Sequence, residues 1–167
     1  MAVPDFVLKL RQHIGHDMLW LPSVSAVIFD DAANVLLAKR TDNGRWAVIS
    51  GILEPGEHPA PAIKREISEE AGIEVDLLHL ASVDVSPEIV HANGDQCQYL
   101  DLCFTARFVA GTPHPADDEN TAVAWFSPHD LPEGLSESSR LRIRRAVAAL
   151  AGAQPRESKD VIPWFYS

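Results

Sequence analysis

The chain has 167 residues, of which 46% are hydrophobic and 23% are charged, and its formal net charge at neutral pH is −10. This length and composition fit one globular domain and exclude a disordered or fibrous chain. The negative charge predicts no nucleic-acid partner and no anionic membrane surface, because both would be repelled.

The N-terminal half begins with a predicted helix and continues with strands. Apolar residues stand at helical spacing between Pro4 and Gly15. Residues 23–29 and 34–38 have the pattern of two paired strands with a polar turn between them. A further short strand is predicted at residues 46–49, and a loop follows it.

The second half alternates helix and strand in the same way. A helix is predicted from about Pro61 to Ala71, because proline is tolerated only in the first turn of a helix, and Gly72 suits its end. The remaining segments are strands at 73–85, 96–109 and 122–126 and a final helix at 136–150. Helices between the strands and at both ends of the chain predict a mixed sheet that is covered on both faces.

The sequence predicts a cytoplasmic protein. It contains no apolar run of about 18 residues and no apolar segment of signal-peptide type before Pro22. Cys97 and Cys103 stand six residues apart in one predicted strand. They would lie about 20 Å apart on the same face, which is too far for a disulfide. Two small buried thiols in a reducing compartment are therefore expected.

Three carboxylates of the predicted second helix fall on one side of it. Glu66, Glu69 and Glu70 lie within an arc of about 100°, beside an apolar stripe that contains Ile63 and Ile67. Like charges four residues apart destabilise a helix by about 0.2–0.5 kcal/mol per pair. A divalent cation makes the arrangement favourable, and Mg²⁺ also takes ligands from substrate phosphates. Such a cation would bridge a phosphorylated ligand to this acidic protein.

A glutamate-rich helix taken alone is typically solvated surface, but the spacing around these residues favours a functional interpretation. Seven fixed identities and two aliphatic positions match the Nudix box across 23 residues without a gap. The matching residues are Gly51, Glu57, Arg65, Glu66, Ile67, Glu69, Glu70, Gly72 and Ile73. The chain thus resembles the Nudix hydrolase family, and its MutT-like members, from about Pro22 to Pro132.

The resemblance implies an α/β fold, the Nudix α/β/α sandwich, in which a mixed β-sheet lies between helices. It assigns residues 22–152 to the Nudix hydrolase domain, residues 1–21 to an N-terminal helical extension and residues 153–167 to a C-terminal tail. Both ends carry large apolar residues, such as Trp20 and Trp164, that need a partner surface. We therefore expect a homodimer in which at least one end contacts a second subunit.

The resemblance also implies the metal ligands. Glu66, Glu69 and Glu70 match the metal-binding glutamates of the family, and the main-chain carbonyl of Ser50 matches a further ligand. The implied cofactor is Mg²⁺ or Mn²⁺. Many members have Pro-Gly-Gly before the box, where this chain has Ile49-Ser50-Gly51, and this change keeps the ligand carbonyl.

Other residues are expected to orient the site or to assist the reaction. Arg65 and Glu57 match family residues that orient the site, through a charge-assisted contact between them. A carboxylate outside the box often assists in this family, from a loop near the last strand of the sheet. Asp117, Asp118 and Glu119 are the candidates, and Glu119 is the residue that we expect in this role.

The implied enzyme is a Mg²⁺-dependent pyrophosphohydrolase, a hydrolase that acts on acid anhydrides in phosphorus-containing compounds. It would use a metal-activated water to cut a phosphoanhydride bond of a small nucleoside diphosphate derivative, either an ADP-ribose-like compound or an oxidised or ordinary nucleoside triphosphate. Two alternatives stay open. One is a non-catalytic nucleotide-binding regulator, which usually lacks a box glutamate. The other is isopentenyl diphosphate isomerase, which needs a cysteine upstream of the box.

Several aromatic or imidazole side chains could stack on a nucleobase, although core packing is the expected role for each one taken singly. They are Trp46, His91, Tyr99, Trp125 and Phe126.

Overall fold

Helices and strands alternate along the chain in a computed structural model that describes residues 3–152 and the main chain of residues 164–165. In chain order the elements are α1 (Asp5–Ile14), β1 (Leu19–Phe29), β2 (Val35–Arg40), β3 (Trp46–Ala47), β4 (Ile49–Ile52), α2 (Pro59–Ala71), β5 (Ile73–Val85), β6 (Ile89–Val90), β7 (Gln96–Gly111), β8 (Asn120–Phe126), α3 (Glu137–Gly152) and β9 (Trp164–Phe165).

Helix α2 begins and ends at residues that suit helix termini. It starts at Pro59, slightly before the predicted position, and Pro61 also stands in its first turn, where no intrahelical N–H bond is lost. Gly72 ends the helix in the left-handed conformation, at φ +65°, and its N–H donates to the Ser68 carbonyl. Any residue with a Cβ would be strained at this φ.

A parallel pair of long strands forms the centre of the sheet. β1 and β7 run side by side from the pair Leu19–Cys97 to the pair Phe29–Arg107. On its other side, β7 pairs antiparallel with β5, with three register shifts. The path of neighbouring strands is β3-β2-β1-β7-β5-β9, and β4, β6 and β8 pair beside this path. The sheet is therefore mixed, and the predicted fold class is confirmed.

β2 pairs with β1, as the sequence predicts, but it pairs mainly with β8. Residues 34–38 were predicted as the partner of β1, but β2 meets β1 only at the pair Phe29–Val35. β4 occupies that edge of β1 from Ser23 to Ala26, so β2 diverges and pairs with β8 along its whole length. The predicted pairing of β2 with β1 is therefore present but limited to one residue pair, because β4 competes for the same edge and the sequence pattern does not show this competition.

Two helices cover opposite faces of the sheet. Leu36 packs with Ile63 in a buried cluster that contains α2. Its neighbours Val35 and Leu37 pack with Ile143 in a second cluster that contains α3. Because successive side chains of a strand point to opposite faces, α2 and α3 enclose the sheet between them.

Both ends of the described chain contact its own domain. In α1, Val7 is buried against Leu21, Ile52 and Cys97 at one end of the sheet. β9 pairs in parallel with residues 82–83 of β5. The other residues of the predicted tail lie outside the part of the chain that the structure describes.

Both cysteines are free and buried in β7, as the sequence predicts. Burial raises the pKa of the Cys103 thiol to about 11. Among the described residues, no helix is long and apolar enough to cross a membrane.

Candidate active site

The three carboxylates of α2 share one margin of the helix but lie at different depths. Glu66 and Glu70 are buried, with 8% and 3% of their surface exposed. Glu69 points outwards, and 55% of its side chain is exposed. The helical spacing predicts the shared margin, whereas the strands and the loop packed around α2 set the depth of each carboxylate.

Gly51 brings the main chain of β4 against the carboxylate of Glu66. A Cβ built on Gly51 would lie 2.0 Å from the carboxyl carbon and from Oε1 of Glu66. Any side chain at this position would therefore displace the carboxylate. Ser50 and Gly51 pair with Ser25 and Val24 of β1, which holds the predicted ligand residue Ser50 beside the helix.

Arg65 joins the loop before α2 to the carboxylates of the helix. Its Nε and Nη2 donate to Oε1 and Oε2 of Glu57, each at 3.0 Å. Its Nη1 donates to Oε1 of Glu66 at 2.9 Å and to Oε2 of Glu69 at 3.1 Å. The Arg65 hydrogen bonds lower the pKa of Glu57, and Glu57 in turn raises the pKa of Arg65. The expected contact between Arg65 and Glu57 is thus present.

Glu70 is the most deeply buried of the three carboxylates. Asn120 Nδ2 donates to its Oε2 at 3.0 Å, while its buried Oε1 has no hydrogen-bond partner among the described residues. Burial raises the pKa of Glu70 to about 7, and the Asn120 hydrogen bond opposes this shift. Burial also raises the pKa of Glu66, against the opposing charge of Arg65. A cation at this margin would stabilise both ionised carboxylates.

Asn120 is a site residue that the sequence analysis missed. It is buried at the start of β8, and 50 residues separate it from Glu70. The box motif does not include it. Its position directly after the acidic residues 117–119 is the signal that could have pointed to it.

Main-chain hydrogen bonds fix the loop that precedes β8. His114 and Ala116 donate their N–H groups to the last two carbonyls of α2, which lack intrahelical partners. Thr41 N–H donates to the Glu119 carbonyl, and Glu119 N–H donates to Oδ1 of Asp117. The loop is therefore held between α2 and the end of β2, and this position brings Glu119 to the site.

An open cleft of about 730 Å³ brings most of the predicted site residues together. Its lining includes Glu57, Arg65, Glu66, Glu69 and Glu119. Of the three candidates in the acidic loop, Glu119 is the one that lines this cleft. The side chain of Asp117 instead accepts a hydrogen bond from the main-chain N–H of Glu119. Glu70 lies behind the cleft lining, against Asn120.

The donors along α2 suit a hard divalent cation. The predicted ligand atoms are all oxygens, which Mg²⁺ and Mn²⁺ prefer, and Oε1 of Glu70 is a buried acceptor without a donor among the described residues. In the described part of the chain, no three Asp, Glu, His or Cys side chains already converge on one point, and Arg65 binds both Glu66 and Glu69. The residues that could hold the ion are those that the motif predicts: Ser50, Glu66, Glu69 and Glu70.

The residues considered for base stacking divide into two groups. Trp46 and Phe126 pack edge to face in the α3 cluster, with ring centroids 4.9 Å apart, and Trp125 packs on a phenylalanine next to the α2 cluster. These three rings therefore pack against the hydrophobic core. Nε2 of His91 and the hydroxyl of Tyr99 lie 3.2 Å apart at a second cavity, of which α1 forms one wall.

The fold and the site together define a class of protein: a mixed sheet between helices, with carboxylates and an arginine gathered along the margin of one helix. The family model of the NUDIX domain matches residues 19–149. The chain therefore belongs to the NUDIX family and is a hydrolase that acts on pyrophosphate bonds.

Named relatives agree with this assignment. The chain is 30% identical over 145 residues to a MutT-like protein of Streptomyces ambofaciens, and the match covers 84% of this chain and 86% of that protein. It is also 30% identical to 8-oxo-dGDP phosphatase NUDT18 of Homo sapiens, over 87% of this chain but 42% of that protein. Among solved structures, the MutT NUDIX hydrolase from Burkholderia pseudomallei has a TM-score of 0.61 at 26% identity, and the match covers 76% of this chain and 98% of that one.

Proposed function

We propose that this Nudix hydrolase cleaves a phosphoanhydride bond of a nucleoside diphosphate derivative, with Mg²⁺ or Mn²⁺ as cofactor and water as the nucleophile. The observation that carries the proposal is Glu70, whose buried Oε1 has no hydrogen-bond donor among the described residues. The buried Glu66 stands one helical turn away. Two buried like charges destabilise a fold, whereas a divalent cation held by their oxygens stabilises both.

The residues of the site have two proposed roles, which are to hold the cation and to keep the loop before α2 in position. When bound, the ion neutralises the diphosphate and lowers the pKa of a water molecule. Glu66 and Glu70 would hold it from the buried side of the helix margin, and Glu69 from the exposed side. Arg65 keeps Glu57 and the loop before α2 in place through its paired hydrogen bonds.

Glu119 is the proposed assisting carboxylate. Thr41 and Asp117 fix its main chain, and Glu119 lines the same cleft as Glu66. A carboxylate at that position can accept a proton from the attacking water, which is the role of a general base. Lys9 of α1 also lines the cleft, where its ammonium group can contact a substrate phosphate.

The other activities considered for this fold have less support. An isomerase of the kind considered above needs a cysteine at its site, but Cys97 and Cys103 are buried and neither lines the cleft. A regulator that only binds nucleotide usually lacks a box glutamate, and this box is complete. The relative that acts on 8-oxo-dGDP supports this compound as the first to test, followed by ADP-ribose and nucleoside triphosphates.

The test is product release from this panel with Mg²⁺, with Mn²⁺ and with excess EDTA. We expect metal-dependent turnover by the unchanged protein. Glu69→Gln and Glu70→Gln should each lower kcat about 100-fold or more, because each removes a cation ligand, while circular dichroism shows an intact fold. Glu74→Gln is the matched control, since Glu74 is exposed on β5 just beyond α2. Equal turnover in the variants and in EDTA would overturn the proposal.

A further inference from the structure

A second cavity, of about 300 Å³, adjoins the catalytic cleft. Val3 and Ile52 line both spaces, so the cavity and the cleft meet at these two residues. Helix α1 forms one wall of the cavity and contributes Val7 and Arg11. Because α1 precedes residues 19–149, it lies outside the part of the chain that matches the family. This wall is therefore a feature of the chain itself.

The charged groups in the wall of this cavity are already paired. Arg40 donates two hydrogen bonds to Asp42, both at 3.1 Å. Nε of Arg11 lies 3.5 Å from Oδ1 of Asp95. The cleft has the opposite character, because its lining contains more carboxylates than cationic side chains. A cavity whose charges cancel favours a neutral guest over a phosphate.

The remaining surface of the cavity combines apolar walls with a few polar groups. Leu21, Ile52 and Cys97 are buried apolar residues of the wall. Arg11 is held in the wall, because its Nη1 and Nη2 donate to main-chain carbonyls and its buried Nε lies beside Asp95. Burial raises the pKa of Tyr99, so its ring stays a neutral phenol.

We infer that this cavity receives the nucleobase of the substrate, with α1 as the wall that selects it, while the adjoining cleft holds the diphosphate. The inference rests on the proposed function. A nucleobase is a flat, neutral ring with hydrogen-bond acceptors on its edge. It matches the apolar walls and the ring of Tyr99, and the cancelled charges of the wall suit its neutrality. The volume of the cavity lies at the lower end of the range for small-molecule sites.

The test is a substitution that places a large side chain in the cavity. Ala92 lines the cavity and is exposed on the turn between β6 and β7, so Ala92→Trp adds a ring there without altering a buried position. Val90→Trp is the matched control, because Val90 is 70% exposed in the same hairpin and does not line the cavity. Two substrates are compared: 8-oxo-dGDP, which carries a base, and methyl diphosphate, which has the same anhydride bond and no base.

We expect Ala92→Trp to lower kcat/KM for 8-oxo-dGDP about tenfold or more, through a higher KM, because the base loses its contacts. Its kcat/KM for methyl diphosphate should not change, and Val90→Trp should change neither value. An equal loss with both substrates, or no loss with either, would overturn the inference.

A binding measurement separates this inference from the proposed function. Calorimetric titration with guanosine and adenosine, which carry no phosphate, should show binding to the unchanged protein and none to Ala92→Trp. If the unchanged protein hydrolyses neither substrate, the proposed function fails, and the titration still decides the role of the cavity. Equal nucleoside binding by Ala92→Trp, or no binding by the unchanged protein, would contradict a base site in this cavity.

Discussion

At the scale of single residues, the absence of a side chain at Gly51 leaves room for the carboxylate of Glu66. Gly51→Ala would place a methyl group 2.0 Å from the carboxyl carbon of Glu66 and push the carboxylate away from its position. We expect kcat/KM to fall about 10- to 100-fold, as in other sites whose ligands are displaced. Steady-state kinetics would measure the loss.

The control for this change is Gly152→Ala at the end of α3, where nothing lies within 4 Å of the added Cβ. It should keep full activity. A Gly51→Ala enzyme with unchanged kcat/KM would show that the position of Glu66 does not limit the reaction.

The nucleophile can also be argued from the residues of the cleft. Among the described residues that line it, there is no Ser, Thr, Cys or His to act as a nucleophile, and its glutamates have the proposed roles of cation ligands, Arg65 partner and general base. Water is therefore the expected nucleophile. Hydrolysis in ¹⁸O-labelled water, followed by mass spectrometry, should place the label on a phosphorus of one product. Label found only on carbon, or a trapped phosphoryl-enzyme, would contradict this expectation.

At the scale of elements, a buried ion pair joins α3 to the centre of the sheet. Asp101 of β7 is 3% exposed and accepts hydrogen bonds from the hydroxyl groups of Ser23 and Ser25 and from Nε of Arg142, at 3.1, 2.8 and 2.8 Å. Asp101→Ala would leave the partly buried Arg142 charge without its carboxylate. We expect the free energy of unfolding to fall by about 3–5 kcal/mol, measured by urea denaturation.

Asp76→Ala is the control for this prediction, since its ion pair with Arg107 joins two strands at the surface, with both side chains more than half exposed. It should change the free energy of unfolding by less than about 1 kcal/mol. A similar loss in both variants would show that burial of Asp101 does not matter.

Local patterns predict some elements well and others poorly. The extent of α2 and the margin that holds Glu66 and Glu70 follow from helical periodicity and from the prolines and the glycine at the helix ends. Strand pairing depends on competition between distant segments, so the pattern does not reveal that β4 takes part of the edge of β1 and limits its pairing with β2 to one residue pair. Asn120 was missed for the same reason, because its contact with Glu70 spans 50 residues.

Other features of the site emerge only when loops are placed. The choice of Glu119 from the three acidic candidates could be argued weakly from the sequence, whereas the structure shows that main-chain bonds to α2 and Thr41 direct it to the cleft. The cavity that α1 helps to line has no local signal. Its wall combines residues from the N-terminus, from β4 and from the β6–β7 turn, which no single segment displays.

At the scale of the whole molecule, exposed apolar residues of α1 and of the start of β1 support the expected homodimer. Leu10 and Trp20 remain 41% and 51% exposed although α1 packs on its own domain. We expect a full-length dimer in sedimentation equilibrium at micromolar concentration. Either a chain that ends at residue 153 or the pair of changes Leu10→Ser and Trp20→Ser should weaken it, because apolar area stabilises association.

Val109→Ser is the control for the surface changes, because Val109 is 49% exposed on the last part of β7, away from both chain ends. A full-length protein that is monomeric at micromolar concentration would end the dimer hypothesis. A dimer that persists in both altered proteins would assign the interface to another surface.

The parallel pairing of β1 with β7 has a consequence for synthesis of the chain. Ser23 and Asp101, which meet across this pair, are 78 residues apart in sequence. At about 5–20 residues per second, a ribosome needs about 4–16 s to deliver that stretch. One edge of β1, a strand whose last seven residues are all buried in the folded protein, stays open during this interval. During this interval, chaperone binding competes with aggregation at the unpaired edge of β1 in the nascent chain.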